Sequence, residues 1–272
     1  MTTRAQGLAA IEAMFAGARA QNRAAFLPYF PIGYPTYDAS LAAIEAMAGE
    51  DVDGFEIGIP FSDPIADGAV IQAATQKALE NGVTVKKCLE AVATLRAKGV
   101  HQPMLLMGYA NPLLNYGAER FVQQAKEAGA DGLIIADLPP EEAHYFAGAC
   151  RDAGLALVFF LAPTSDEKRM ALVAQQATGF IYVVSLTGIT GARADLPPDL
   201  TQTIERIRAT VNTPLVLGFG ISQPEHARRM NGLVDGFIVG SALVRAGAQG
   251  VEQVRQLAMT LRRALNEEQT NT

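Results

Sequence analysis

Phe55-Glu56-Ile57-Gly58-Ile59-Pro60-Phe61-Ser62-Asp63-Pro64-Ile65-Ala66-Asp67-Gly68 is the stretch on which the fold turns. Its first residues form a short apolar strand end that carries one acid. The remainder is a Pro- and Gly-rich loop with two more acids, Asp63 and Asp67. Side chains alternate across a strand, so Phe55 and Ile57 suit a face covered by helices, leaving Gly54, Glu56 and Gly58 on an interior face.

Outward from this segment the same unit recurs. Short runs rich in Val, Ile and Phe lie at 26–30, 54–57, 104–107, 132–136, 156–161, 180–184, 215–217 and 236–239. Ala- and Leu-rich stretches with helical spacing separate them. Several of these open on recognisable start signals: Thr164 with Glu167, Ser222 with Glu225, and Pro139–Pro140. Eight strands alternating with helices predict an α/β protein, a single-domain (β/α)8 TIM barrel. An open doubly wound sheet would share the alternation, but Phe30-Pro31-Ile32-Gly33-Tyr34 lacks the glycine fingerprint expected after its first strand.

No linker divides the 272 residues, so one domain is expected over 1–272, with a frayed tail at 267–272. The Ala-rich start, interrupted by Arg4, Glu12, Arg19 and Arg23, reads as an extra N-terminal amphipathic helix and not as a signal peptide. The longest apolar run, 155–163, is far short of the ~20 residues that span a membrane. A net charge of −6 argues against a broad nucleic-acid surface. Cys88 and Cys150, the only cysteines, stand far apart and read as reduced thiols of a cytoplasmic protein.

Two connections that leave the C-terminal ends of strands are long, 58–68 and 185–200, and that end of a barrel carries the active site. A carboxyl on the interior face disfavours its charge, so Glu56 is the first catalytic candidate, able to give and take a proton near neutral pH. One solvated aspartate of the loop, Asp63 or Asp67, suits an ionised partner. Loop aspartates also serve simply as turn formers, and a strand Glu can face solvent, so the pairing rests on the two together.

Gly218-Phe219-Gly220-Ile221-Ser222 after the seventh strand and Gly240-Ser241 after the eighth stand where barrels bind phosphate through backbone N–H groups. The six lysines, Lys77, Lys86, Lys87, Lys98, Lys126 and Lys168, all fall in expected helices or at their ends. His101 precedes the third strand, and His144 and His226 lie in helices. Neither a strand-end Schiff-base lysine nor a metal-ligand cluster is expected, which leaves acid–base chemistry on a substrate that supplies its own electron sink.

These residues resemble the tryptophan synthase alpha-subunit family through 55–68, through Gly188-Ile189-Thr190-Gly191, and through the paired glycine motifs, across nearly the whole chain. The resemblance implies retro-aldol cleavage of indole-3-glycerol phosphate to indole and glyceraldehyde 3-phosphate, the indole ring being the sink. It implies that Glu56 protonates indole C3 and assists removal of the glycerol hydroxyl proton. It further implies that Asp67 accepts from the indole N–H, that Tyr182 stands near the glutamate, and that Thr190 hydrogen-bonds the loop aspartate. Apolar walls would come from Tyr29, Met107, Tyr109, Ile134 and Ala136, and phosphate donors from Gly191, Gly218, Gly220, Gly240 and Ser241. Asp63 would serve the loop or an interface.

The resemblance also implies no cofactor of this chain's own. Pyridoxal phosphate would belong to a beta-subunit partner in an alpha2beta2 assembly. Leu186-Thr187, where many members carry a basic residue after the serine, and Pro31, where a Thr is common, depart from the family pattern and bear on loop closure. A phosphate-binding isomerase or epimerase, and a binding module that activates a partner enzyme, are the competing readings.

Overall fold

The structure is a computed structural model describing residues 4–184, 199–218 and 220–267. Its strands are β1 (Ala25–Pro31), β2 (Phe55–Gly58), β3 (Met104–Gly108), β4 (Gly132–Ile135), β5 (Ala156–Leu161), β6 (Ile181–Val184), β7 (Leu215–Gly218) and β8 (Gly236–Val239). They close in sequence order into a barrel of parallel strands, with β8 pairing back onto β1. Almost every strand residue is buried, as expected of a sheet covered on its outer face and packed within. The architecture is the (β/α)8 barrel expected from the sequence.

Strand phase fixes what each side chain meets. Phe30 points outward, close enough to Gly247 that a Cβ there would lie 2.7 Å from its ring. Tyr29, one residue earlier, points inward to Gly58 and Gly240. β1 and β2 pair with Tyr29 opposite Glu56, so the interior phase of β2 is the one that carries the acid.

The N-terminal helix α1 (Leu8–Ala20) closes the barrel's lower end. Met14, Phe15 and Ile11 reach Gly54, Gly236 and Gly179, glycines at the entry ends of three strands where a Cβ would meet those side chains at 2.8–3.5 Å. Asp131, fully buried just before β4, fastens this end. It accepts from Gly7 N at 2.8 Å, Met104 N at 2.9 Å, Arg96 Nη2 at 2.6 Å and Arg4 Nη2 at 3.1 Å.

The remaining helices are α2 (Tyr37–Ala48), α3 (Ala69–Glu80), α4 (Val85–Ala97), α5 (Ala110–Tyr116), α6 (Ala118–Ala128), α7 (His144–Ala153), α8 (Glu167–Gln176), α9 (Leu200–Arg208), α10 (Pro224–Met230), α11 (Ser241–Gly247) and α12 (Val251–Ala264). Two of the expected helix starts are corrected. α8 is capped by Asp166, whose carboxylate accepts from Arg169 N at 2.7 Å, because Asp166 stands three residues before that N–H and Thr164 stands too early. α10 has Gln223 at its cap in place of Ser222, since Pro224 takes the first helical position. Pro140 does open a single 3-10 turn, Pro140–Glu142, that leads into α7.

Candidate active site

β2 places Glu56 inside the barrel mouth with 2 % of its surface exposed, and its carboxyl accepts no hydrogen bond from any described residue. Burial, and secondarily the nearby Asp67 carboxylate, push Glu56 up to about 8 from its ordinary 4.5. Near neutral pH this group is mainly protonated, and a change in its surroundings can make it accept a proton.

Asp67 arrives from the loop between β2 and α3. Burial pushes its carboxyl up to about 6, while a hydrogen bond from Tyr109 pulls the other way. Tyr109, the residue after β3, donates to Asp67 Oδ2 at 2.9 Å and accepts from Ala66 N at 3.1 Å. Its ring lies 5.3 Å from that of Phe61. One side chain therefore fastens the loop at both its start and its end. Gln72 Nε2 adds a 2.8 Å bond to the Asp67 carbonyl. Asp63 stands apart from this group, exposed and bonded by the Ser62 hydroxyl.

Tyr182 on β6 is 8 % exposed, and its ring lies 4.8 Å from that of Phe160 on β5. Burial, with the charges of Glu56 and Asp67, raises the phenol well above its ordinary range, so it remains neutral. The ring crosses Gly218, where a Cβ would lie 2.1 Å from it. Glycine is thus required for Tyr182 to occupy this place. Tyr29 stands similarly across Gly58 and Gly240.

Gly218 ends β7, Gly220 follows with φ +78° and an exposed backbone, and Gly240 and Ser241 follow β8 at the start of α11. Met107 and Ile134 are paired neighbours on β3 and β4, while half-buried Ala136 donates its N–H to Gly108 O at 2.9 Å. Glu56, Asp67, Tyr182, Tyr29 and Tyr109 thus come together at one mouth. Thr190 and Gly191 lie outside the described residues, as do Leu186 and Phe219.

Sequence reasoning missed Phe160 and the hydrogen-bonding use of Tyr109. The signal for Phe160 was the phase of β5, in which it is the one residue not fully buried. Tyr109, expected only as an apolar wall, carried no signal, because its partners come from a loop whose path the sequence does not define. The lysines lie on helices or at helix ends, as expected.

The family profile described as Tryptophan synthase alpha chain matches residues 15–271. A tryptophan synthase alpha chain from Roseiflexus sp. (strain RS-1) is 50% identical over 230 residues, covering 85% of this chain and 88% of that one. Another, from Gluconacetobacter diazotrophicus, is 42% identical over 267 residues, covering 94% and 97%. Among solved structures, tryptophan synthase from Mycobacterium tuberculosis superposes with a TM-score of 0.90 at 36% identity, covering 95% of this chain and 98% of that one. The alpha chain from Legionella pneumophila gives 0.88 at 32% identity, covering 96% and 99%. With the barrel, the full-length match and this level of identity in agreement, the chain belongs to the tryptophan synthase alpha-chain family, lyases of tryptophan biosynthesis that cleave indole-3-glycerol phosphate to indole and glyceraldehyde 3-phosphate.

Proposed function

We propose that Glu56 carries the proton in both halves of this cleavage and that Asp67 stabilises the charge formed between them. Protonated Glu56 gives its proton to indole C3, the carbon bearing the glycerol chain, and the ring nitrogen becomes cationic. Ionised Asp67 accepts the ring N–H and offsets that charge. The Glu56 carboxylate then takes the proton of the adjacent glycerol hydroxyl. The O–H electron pair becomes the aldehyde C=O, the carbon–carbon bond breaks, and its electrons restore the neutral indole ring. Glu56 ends protonated, as it began.

The observation that carries this reading is the separation of two carboxyls at one mouth: a dry Glu56 at about 8 and a hydrogen-bonded Asp67 at about 6. Met107, Ile134, Ala136 and the faces of Tyr29 and Tyr109 are assigned to the indole, and Tyr182 to orientation of the reacting segment. The N–H groups of Gly218, Gly220, Gly240 and Ser241, with Gly191, are assigned to the phosphate, and Thr190 to the Asp67 carboxylate. Such a cradle suits a chain whose net charge is −6, because backbone donors hold an anion without a cationic surface.

No cofactor is assigned to this chain. Pyridoxal phosphate is assigned to a beta-subunit partner in an alpha2beta2 assembly, with Asp63 on the coupling loop. A single barrel domain in the cytoplasm completes the reading. Among the described residues no helix is long and apolar enough to cross a membrane.

The deciding experiment is indole release from indole-3-glycerol phosphate by the wild-type chain and its Glu56→Gln and Asp67→Asn variants, with and without the beta subunit. Loss of turnover in both variants, with the wild-type rate raised by the partner, is expected. Full turnover in either variant removes that residue's role.

A further inference from the structure

Tyr29 buries a hydroxyl that bonds to no described residue, although the side chain is only 5 % exposed. Tyr109, at the same mouth, fills both of its hydrogen-bonding roles within the protein. A buried hydroxyl without a partner is unfavourable, and a phenylalanine would fill nearly the same volume without that penalty. The hydroxyl therefore calls for a partner that the described residues do not supply.

Its position says what kind. The Tyr29 ring edge lies against Gly240, where a Cβ would stand 3.3 Å from Cδ1, and its hydroxyl reaches Gly58, where a Cβ would stand 2.5 Å from the oxygen. Gly58 is the next interior position of β2 above Glu56, and Tyr29 is in register with Glu56 itself. The side chain thus spans from the β8 glycine assigned to phosphate to the strand carrying the acid assigned to the cleaved bond. The substrate has two hydroxyl-bearing carbons between those two points.

We propose that the Tyr29 hydroxyl donates a hydrogen bond to this dihydroxylated segment of the substrate, making Tyr29 a specificity-determining residue for the glycerol chain. The inference rests on the placement of Glu56 and the glycine cradle given above, and it assigns to Tyr29 a polar contact beyond an apolar wall. Absence of a Gly58 side chain is what opens the space the hydroxyl occupies. A site that offers a hydrogen bond to a substrate hydroxyl discriminates against an analogue lacking it.

The test uses Tyr29→Phe in the full chain and two ligands: indole-3-glycerol phosphate as substrate, and indole-3-propanol phosphate, which keeps ring and phosphate but has no chain hydroxyl. For the substrate, kcat/KM is expected to fall about tenfold, the size of one lost neutral hydrogen bond. The dissociation constant of the propanol analogue, read by calorimetry, is expected to stay within about twofold, since only the substrate can use the hydroxyl. Equal losses for both ligands would show that the hydroxyl serves packing, and no loss for either would show that it serves nothing; both overturn the proposal. Failure of the wild-type chain to bind the analogue removes the underlying site assignment and the proposal with it. A Glu56→Gln variant that still cleaves substrate removes only the assignment of the acid.

Discussion

Tyr109 donates a 2.9 Å hydrogen bond to Asp67 while accepting one from Ala66 N, so a residue at the end of β3 fixes the loop that leaves β2. The bond favours the ionised carboxylate and opposes the burial that lifts Asp67 to about 6. Glu56, Tyr29 and Tyr182 also feel the Asp67 charge, and none of them supplies a cation. Tyr109→Phe therefore raises the Asp67 pKa further. The pH below which kcat/KM declines is expected to move upward, and the neutral-pH value to fall about tenfold or more, as for other bonds to charged groups. The check is a pH–rate profile of both proteins. An acid limb at the same pH in each would mean that the bond does not set the ionisation of Asp67.

Gly218 and Tyr182 share one space. A Cβ at Gly218 would lie 2.1 Å from the Tyr182 ring, a separation that requires the ring or the β7 end to move. The Tyr182 ring is confined by burial and by Phe160, 4.8 Å away. Gly218→Ala is expected to lower lyase turnover at least tenfold while leaving a cooperatively folded barrel, with a stability loss of about 1–3 kcal/mol from overpacking. Steady-state kinetics beside urea unfolding separates the two effects. Wild-type turnover would show that the mouth tolerates a displaced ring.

The barrel was legible because each of its eight strands is a short apolar run, and strand identity follows from burial on both faces. Glu56 was legible for the same reason, being a single acid in an apolar strand at the interior phase. Helix starts were less so: Asp166 and Thr164 both offer side-chain oxygens, and only the backbone path decides which reaches an open N–H. The Tyr109 network was illegible, since it joins residues 42 and 43 positions apart through loop geometry. The Asp131 cluster, spanning 127 positions to Arg4, escaped on the same ground.

That cluster predicts a large stability effect remote from the mouth. Fully buried Asp131 satisfies two backbone N–H groups and stands between Arg4 and Arg96. Asp131→Ala removes the acceptor of both N–H groups and the one carboxylate between the two guanidinium groups, which keep only backbone carbonyls as partners, leaving like charges facing one another across a partly buried space. A loss of about 3–5 kcal/mol is expected, as for other broken buried pairs. Chemical unfolding measures it directly, and a loss below about 1 kcal/mol, the level of an exposed ion pair, would contradict the role given to this cluster. Lyase kinetics of the folded variant should be little changed at a permissive temperature, since the cluster lies at the opposite end of the barrel.

Glu56 makes the site costly to the fold, and the sign of that cost is set by its pKa. The carboxyl has an ordinary value of 4.5 and is lifted to about 8 in the folded chain. Between those values the folded chain keeps a proton that the unfolded chain releases, so the folded state binds more protons than the unfolded one. Stability must then fall as pH rises through that window and level off above about 8. Glu56→Gln carries no such titration. Its melting temperature is expected to match the wild type near pH 4.5, to exceed it increasingly up to about pH 8, and to keep a constant lead of several °C or more from there to pH 9, given about 2–4 °C per kcal/mol for chains of this size. Thermal unfolding across pH 4.5–9 tests this independently of catalysis. A difference that stays flat with pH would show that Glu56 is ionised in the folded chain, and would remove the protonated acid from which the cleavage is proposed to begin.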